Sequence, residues 1–180
     1  MYLHRGINVK ANGFTLIELI IVILILGILS VTAAPKFFDM SKDAKASVVQ
    51  GTGAAFGAAV RLIHQKVILE GGGPIDNLQV YGDQVSGQLD INQWGYPAQH
   101  WTPFESSPRL DNSADCISVW QTILEDAPSV SVTADVNTSD YRAVYLGNGT
   151  CRYDYNDLSQ LSITYDSEEG TVTIDSDYSS

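Results

Sequence analysis

Residues 14–34 form an apolar stretch that dominates the sequence. They read FTLIELIIVILILGILSVTAA, which is 21 residues with a single charged side chain, Glu18. As a helix they would be about 30 Å long, which matches the hydrocarbon core of a bilayer. The stretch therefore predicts a helix that spans a membrane.

Three interpretations of this stretch compete. A secretory signal peptide would use Arg5 and Lys10 as its basic region and would be cleaved after TAA. It would then contain the charge of Glu18, and Pro35 would directly follow the cut. A single-span anchor explains the length, but it leaves Glu18 at a cost of about 2.5–3.5 kcal/mol near the bilayer centre. The third interpretation gives this carboxylate a use.

The third interpretation rests on the segment GFTLIEL, residues 13–19. This segment resembles the prepilin cleavage motif of type IV pilins and of the related pseudopilins. The resemblance implies that a prepilin peptidase cuts after Gly13 and methylates the new N-terminus at Phe14. Glu18 then becomes the fifth mature residue, and its expected partner is the cationic amine of Phe14 on a neighbouring subunit.

The resemblance extends to about residue 60. Gly27 and Pro35 lie where type IV pilins have a glycine and a helix-bending proline, and the short leader with a mature Phe is similar to the type a subclass. The segments PKFFDMSKDAKASVVQGTGAAFGAA and WGYP, with the C…W…C arrangement, resemble the MSHA (mannose-sensitive haemagglutinin) pilins.

The resemblance also implies a function. We expect a homo-oligomeric helical filament that attaches to abiotic surfaces or host glycans and takes part in biofilm formation. The precursor would be a single-pass inner-membrane protein, and the inner-membrane pilus assembly machinery would build an extracellular pilus from it. A pseudopilin of a type II secretion system is the alternative, because it shares the N-terminal motif.

A helical pattern continues beyond the apolar stretch, and GGGP at residues 71–74 predicts its end. We therefore divide the chain into a removed leader (1–13), a hydrophobic transmembrane and polymerisation helix (14–35), an amphipathic helix half (36–70) and a globular head (71–180). Steps of three, four or seven residues predict one buried face on the amphipathic half. That face comprises Phe37, Ala44, Val48, Ala55, Ala59, Leu62 and Leu69.

Alternating residues predict strands in the last third of the chain, in the segments YRAVYLG, TCRYDYN, LSITYD and TVTID. Asn148-Gly149 predicts a hairpin turn between the first two. A short helix is expected over residues 113–126, capped by Ser113 or Asp115. Residues 75–108 are expected to be a connecting loop whose aromatic residues pack on the long helix. The predicted fold class is α+β, a type IV pilin fold with an antiparallel sheet of three or four strands on the amphipathic helix half.

Charge and cysteine content limit the function of the head. Residues 71–180 contain three basic and seventeen acidic side chains, a net charge of −14, which disfavours nucleic-acid binding. The isolated pair Cys116 and Cys151 favours a disulfide over a metal site, with two reduced buried cysteines as the alternative. The sequence has no GxSxG or HExxH motif, so we expect neither an enzyme nor a cofactor.

Overall fold

The structure is a computed structural model that describes residues 13–80, 87–100 and 107–178. The predicted leader lies outside the described residues, except for Gly13. The chain divides into two compact units, Met1–Ser41 and Lys42–Ser180, which are described separately below. The elements in chain order are α1 (Leu16–Leu69), β1 (Ile75–Gln79), β2 (Gln88–Ile91), β3 (Pro97–Gln99), α2 (Ser113–Ile123), β4 (Val130–Ser131), β5 (Tyr141–Gly147), β6 (Thr150–Tyr155), β7 (Ser162–Asp166) and β8 (Thr171–Asp175).

The predicted α+β fold class is confirmed, because a long N-terminal helix precedes antiparallel sheets. Helix α1 contains 54 residues and continues through Pro35. It ends where the three glycines begin, since Gly71 has a φ of +110° and the N–H of Gly72 donates to the carbonyl of Val67 at 2.9 Å. Glycine adopts this left-handed conformation without the steric cost that a β-carbon imposes.

The larger sheet has five strands in the order β4-β5-β6-β7-β8. Strands β5 to β8 are antiparallel neighbours and coincide with the four predicted strands. The predicted hairpin turn is also confirmed, because Asn148 and Gly149 have φ values of 48° and 68° between β5 and β6. Strand β4 adds a two-residue parallel edge beside β5, so the sheet has one strand more than predicted.

A second sheet lies where a connecting loop was predicted, so that part of the prediction is wrong. Strands β1, β2 and β3 form an antiparallel sheet in this order. They contain five, four and three residues, and the register shifts between Ile75 and Leu78 and again between Asp90 and Ile91. Such short and irregular strands produce no run of alternation that sequence reasoning detects.

The core of the second unit lies between α1, α2 and the larger sheet. Phe56 on α1 is fully buried, and its ring centroid lies 5.5 Å from those of Trp120 on α2, Tyr153 on β6 and Tyr165 on β7. The rings meet at tilted or edge-on angles, the arrangement that aromatic pairs prefer. One phenylalanine thus joins both helices and the two central antiparallel strands.

The buried face of α1 differs from the predicted one. The buried positions are Ala46, Val49, Gly53, Phe56, Gly57, Val60, Ile63 and Val67. The predicted face lies mostly one residue away, and Val48, Leu62 and Leu69 remain 52%, 65% and 87% exposed. Both faces are apolar at helical spacing, so periodicity alone does not distinguish them. The bulk of Phe56 and the small size of Gly53 favour the face that packs under the sheet.

Helix α2 is confirmed, but its cap is not one of the two predicted residues. Asn112 is the N-cap, and its side-chain oxygen accepts from the backbone N–H groups of Ala114 and Asp115. The Asp115 carboxylate accepts in return from the N–H of Asn112 at 3.2 Å and from that of Asp111 at 2.9 Å. This reciprocal arrangement is a capping box. Burial raises the pKa of Asp115 more than these hydrogen bonds lower it.

Candidate functional site

The N-terminal end of α1 is closed by a reciprocal contact between Thr15 and Glu18. The Thr15 backbone N–H and hydroxyl donate to Glu18 Oε2 at 2.9 Å and 2.8 Å. The Glu18 N–H donates to Thr15 Oγ1 at 3.3 Å. This is a second capping box, and it uses the carboxylate that the apolar stretch otherwise leaves unexplained. The pattern Thr-x-x-Glu before an apolar run is the sequence signal for it, and our sequence analysis missed it.

The predicted cleavage site and the apolar stretch are accessible in the isolated subunit. Gly13 is exposed, and the Phe14 side chain is 93% exposed. Among the described residues, α1 is the one helix long and apolar enough to cross a membrane, and none of its most apolar window is buried within the subunit. Exposed apolar surface on this scale requires a bilayer or neighbouring protein to cover it.

Residues 27–35 combine several features that weaken a helix. Pro35 lies inside α1 and supplies no N–H to the carbonyl of Val31. The hydroxyls of Ser30 and Thr32 donate to the carbonyls of Leu26 at 2.7 Å and Leu29 at 2.9 Å. Such hydroxyl bonds compete with the helix ladder. The helix is nevertheless continuous in this subunit, so the stretch is helical but locally weakened.

The second unit contains a disulfide between Cys116 and Cys151, with Cα atoms 5.7 Å apart. The predicted bridge is therefore present, and both residues are fully buried. It joins α2 to β6, the central strand of the five-stranded sheet. Tyr153 lies beside it and donates its hydroxyl to the Cys116 carbonyl at 2.8 Å. Burial raises the pKa of Tyr153 well above its usual range.

The aromatic residues of the predicted loop take different positions. The Tyr96 ring stacks on His64 of α1 with centroids 4.2 Å apart, so it packs on the long helix as predicted. Trp94 does not follow it and remains 40% exposed. Trp101 and Phe104, the other two rings of that segment, lie outside the described residues.

The processing and assembly residues proposed from the sequence all lie along the first part of α1 or directly before it. Gly13, Phe14 and Glu18 are adjacent at its start, and Gly27 and Pro35 follow in the same helix. The cysteine pair belongs to the other unit. Within the described ranges, no group of three or more His, Cys, Asp or Glu side chains is placed to hold a metal ion.

The chain is similar to one described protein family and to one known pilus protein. The family described as "Prokaryotic N-terminal methylation motif" matches residues 8–34. The chain is also similar to the type IV narrow pilus major component PilA5 of Thermus thermophilus, with 36% identity over 85 residues. That alignment covers 47% of this chain and 70% of the relative. No solved structure matches the chain.

Proposed function

This chain belongs to the type IV pilin family, and from that membership we propose that it is the repeating subunit of an adhesive surface filament. It is a pilus structural protein and not an enzyme. The family implies processing by prepilin peptidase and assembly of pilin subunits into a filament. The proposed finer function is attachment to abiotic surfaces or host glycans, together with biofilm formation.

The observation that carries the filament function is the exposure of α1. Its apolar first part has no partner surface among the residues that the structure describes, because none of its most apolar window is buried. On the amphipathic half of α1, the face that the sequence predicted to be buried is exposed as well, including Val48, Leu62 and Leu69. A membrane covers the first surface before assembly, but packed helices of neighbouring subunits cover both.

Glu18 and Phe14 supply the proposed assembly contact. Cleavage after Gly13 creates a cationic amine at the start of a helix that carries a carboxylate four residues later. In an apolar bundle each unpaired charge is costly, so a carboxylate that meets an incoming amine favours one axial position of the new subunit. The capping contact with Thr15 holds the Glu18 carboxylate at the helix start. In the proposed filament, the Phe14 amine of the neighbouring subunit meets it there.

The adhesive part of the proposal rests on the resemblance to MSHA pilins and on the charge of the head. The net charge of −14 over residues 71–180 keeps a densely packed array of heads soluble. It also disfavours binding to anionic polymers such as nucleic acids. Neutral surfaces and neutral glycans are compatible with this charge.

Mass spectrometry of filaments sheared from the cell surface tests the proposal. We expect this protein to be the main component, with an N-methylated Phe14 as its first residue. The Gly13→Glu variant should keep its leader and form no filament. A mature chain starting at Pro35 would instead identify an ordinary signal peptide. Absence from sheared filaments, with retention in the membrane, would favour the pseudopilin alternative.

A further inference from the structure

A polar cavity of about 310 Å³ opens at one end of the second unit, between four chain segments. The segments are the β2–β3 turn, the residues before α2, the β5–β6 hairpin and the β7–β8 turn. The side chains that matter here are Trp94, Arg109, Asp111, Tyr145, Asn148 and Glu168. Its volume lies at the lower end of the range of small-ligand pockets. The cavity is distinct from the processing and assembly residues.

A buried asparagine holds two of these segments together. Asn92 is 1% exposed, and its side-chain oxygen accepts from the N–H groups of Trp94 and Tyr96, both at 3.0 Å. Its amide nitrogen donates to the carbonyl of Ser167 at 2.6 Å. The turn that carries Trp94 is thereby fixed to the turn that carries Glu168. Such a framework reduces the ordering cost of binding a ligand.

The other two segments are connected in a similar way. The capping box of α2 holds Asp111, whose N–H donates to Asp115. The hydroxyl of Ser113, the first residue of α2, accepts from the N–H of Tyr145 on β5 at 3.2 Å. The cavity therefore lies between loops that are tied to regular elements.

The side chains in the cavity are those that recognise polyhydroxylated molecules. Trp94 and Tyr145 present aromatic rings, which pack against the apolar C–H face of a sugar ring. Arg109 offers a planar fork of donors, and the carboxylates of Asp111 and Glu168 offer paired acceptors for adjacent hydroxyls. Among the described residues, neither Arg109 nor the Glu168 carboxylate has a hydrogen bond or an ion pair. These two groups are thus available to a ligand.

We propose that this cavity binds a neutral sugar unit of a glycan, and that it is the glycan-binding site of the filament. The excess of negative charge in and around the cavity favours neutral over acidic sugars. One guanidinium and two carboxylates line the cavity, within a region whose net charge is −14. A uronic or sialic acid would meet Arg109 but would be repelled by the two carboxylates and by the head as a whole. A neutral sugar uses both kinds of group without that penalty.

The cavity lies next to helix α1 within the second unit. Gln50 of α1 contacts Ser176 beyond the end of β8, whereas the Tyr96 side chain, which stacks on His64, lies against the β7–β8 turn at Gly170. The cavity turns therefore lie beside the C-terminal part of α1.

The test uses purified full-length filaments and two matched sets of glycan-carrying albumin probes. One set carries neutral hexoses (glucose, galactose, mannose), and the other carries the corresponding hexuronic acids. We expect wild-type filaments to bind at least one neutral probe, at least tenfold better than its uronic counterpart. Trp94→Ala and Arg109→Gln should each weaken that binding at least tenfold. Both side chains are exposed, so these changes leave the core intact.

Arg61→Gln is the matched control, because Arg61 is another exposed arginine without an ion pair among the described residues, and it lies outside the cavity. It should bind like the wild type. Three results would overturn the proposal, provided that filaments form normally. Wild-type filaments bind no neutral probe, they prefer the uronic probes, or Trp94→Ala filaments bind the neutral probe as well as the wild type does. This inference rests on the proposed filament function, and the two fail in different ways. If wild-type cells carry no filaments that contain this protein, the filament function itself is refuted. If filaments form but bind no neutral sugar, only the glycan site is refuted.

Discussion

Thr15 and Glu18 close the N-terminal end of α1 by capping each other, with the Glu18 carboxylate 2.9 Å from the Thr15 N–H. The carboxylate therefore has a role within its own subunit before any neighbour arrives. It is an acceptor at the positive end of the helix dipole, where a negative charge is favourable. A helix-capping role and an intersubunit pairing role make different demands on this side chain, so substitutions separate them.

Glu18→Gln distinguishes the two roles. Glutamine retains the hydrogen-bonding shape of a capping box but carries no charge. If Glu18 pairs with the Phe14 amine of a neighbour, we expect processed subunits in the membrane and few or no pili. Thr15→Val is the control, since it removes the capping hydroxyl, at a cost of about 1 kcal/mol to the helix start, and keeps the charge. Normal piliation of Glu18→Gln by electron microscopy would refute the pairing.

Two glycines on α1 provide a matched pair for packing under the sheet. A β-carbon at Gly53 would lie 2.6 Å from Ile174 Cγ1 and 3.2 Å from Ile163 Cγ1, whereas nothing lies within 4 Å of one at Gly51. We expect Gly51→Ala to stabilise the protein by up to about 1 kcal/mol through helix propensity. Gly53→Ala should destabilise it by about 1 kcal/mol net, because overpacking outweighs the same gain. Chemical denaturation of the detergent-solubilised protein measures both, and equal stabilisation by the two variants would contradict the close packing.

The disulfide should stabilise the head considerably. Cys116 and Cys151 are separated by 35 residues, and closing a loop of that size is worth about 4 kcal/mol on the chain-entropy estimate. Because the bridge fixes α2 to the central strand, its loss should affect the whole core. We predict that Cys151→Ser lowers head stability and pilin abundance. A thiol-labelling assay that finds both cysteines reactive in native filaments would exclude the bridge.

Residues 27–35 are expected to act as a local spring in the filament. Pro35 costs about 3 kcal/mol in a helix interior, and neighbouring subunits can compensate for backbone groups that it frees. The double variant Gly27→Ala, Pro35→Ala should therefore give stiffer pili in single-filament stretching, or none at all. Gly51→Ala is the control, as a helical glycine outside the stretch, and should extend like the wild type. An unbroken helix through these residues in a filament map would refute the spring.

Alkaline pH should unfold the head through its buried tyrosines. Burial raises the pKa of Tyr141 to about 12, and it also raises the pKa values of Tyr153 and Tyr165. Because the pKa is higher in the folded than in the unfolded chain, these phenols contribute their full stabilisation at pH values below the tyrosine pKa of the unfolded chain, about 10. It is lost as the pH rises from there through the folded values.

Denaturation curves between pH 8 and 12, with tyrosinate absorbance as the second signal, measure this loss. The free energy of unfolding should fall above about pH 10, where unfolded tyrosines begin to ionise. Tyr141→Phe removes one of the titrating groups and should make the decline shallower. Ionisation of all tyrosines near pH 10 in a head that stays folded would contradict the assignment.

Local chemistry was sufficient to predict the long N-terminal helix and strands β5 to β8. The length and apolarity of residues 14–34 require a membrane or a bundle of helices, whatever the head looks like. The alternation in β5 to β8 and the Asn148-Gly149 turn are signals within a few residues of one another. The cleavage motif around Gly13 is equally local, and so is the missed capping pair of Thr15 and Glu18.

Other features depend on contacts between distant residues. The sequence offers two apolar faces on α1. The sheet packs on the one with Phe56 and Gly53, where the missing β-carbon of Gly53 lets Ile174 lie close to the helix. The three-stranded sheet is stabilised by pairing between its strands, each of which is too short to show an alternating pattern in the sequence. The cavity near Trp94 arises in the same way, since it is lined by four segments far apart in the chain. Packing against distant residues adds free energy that no local sequence pattern contains, and so it determines these features.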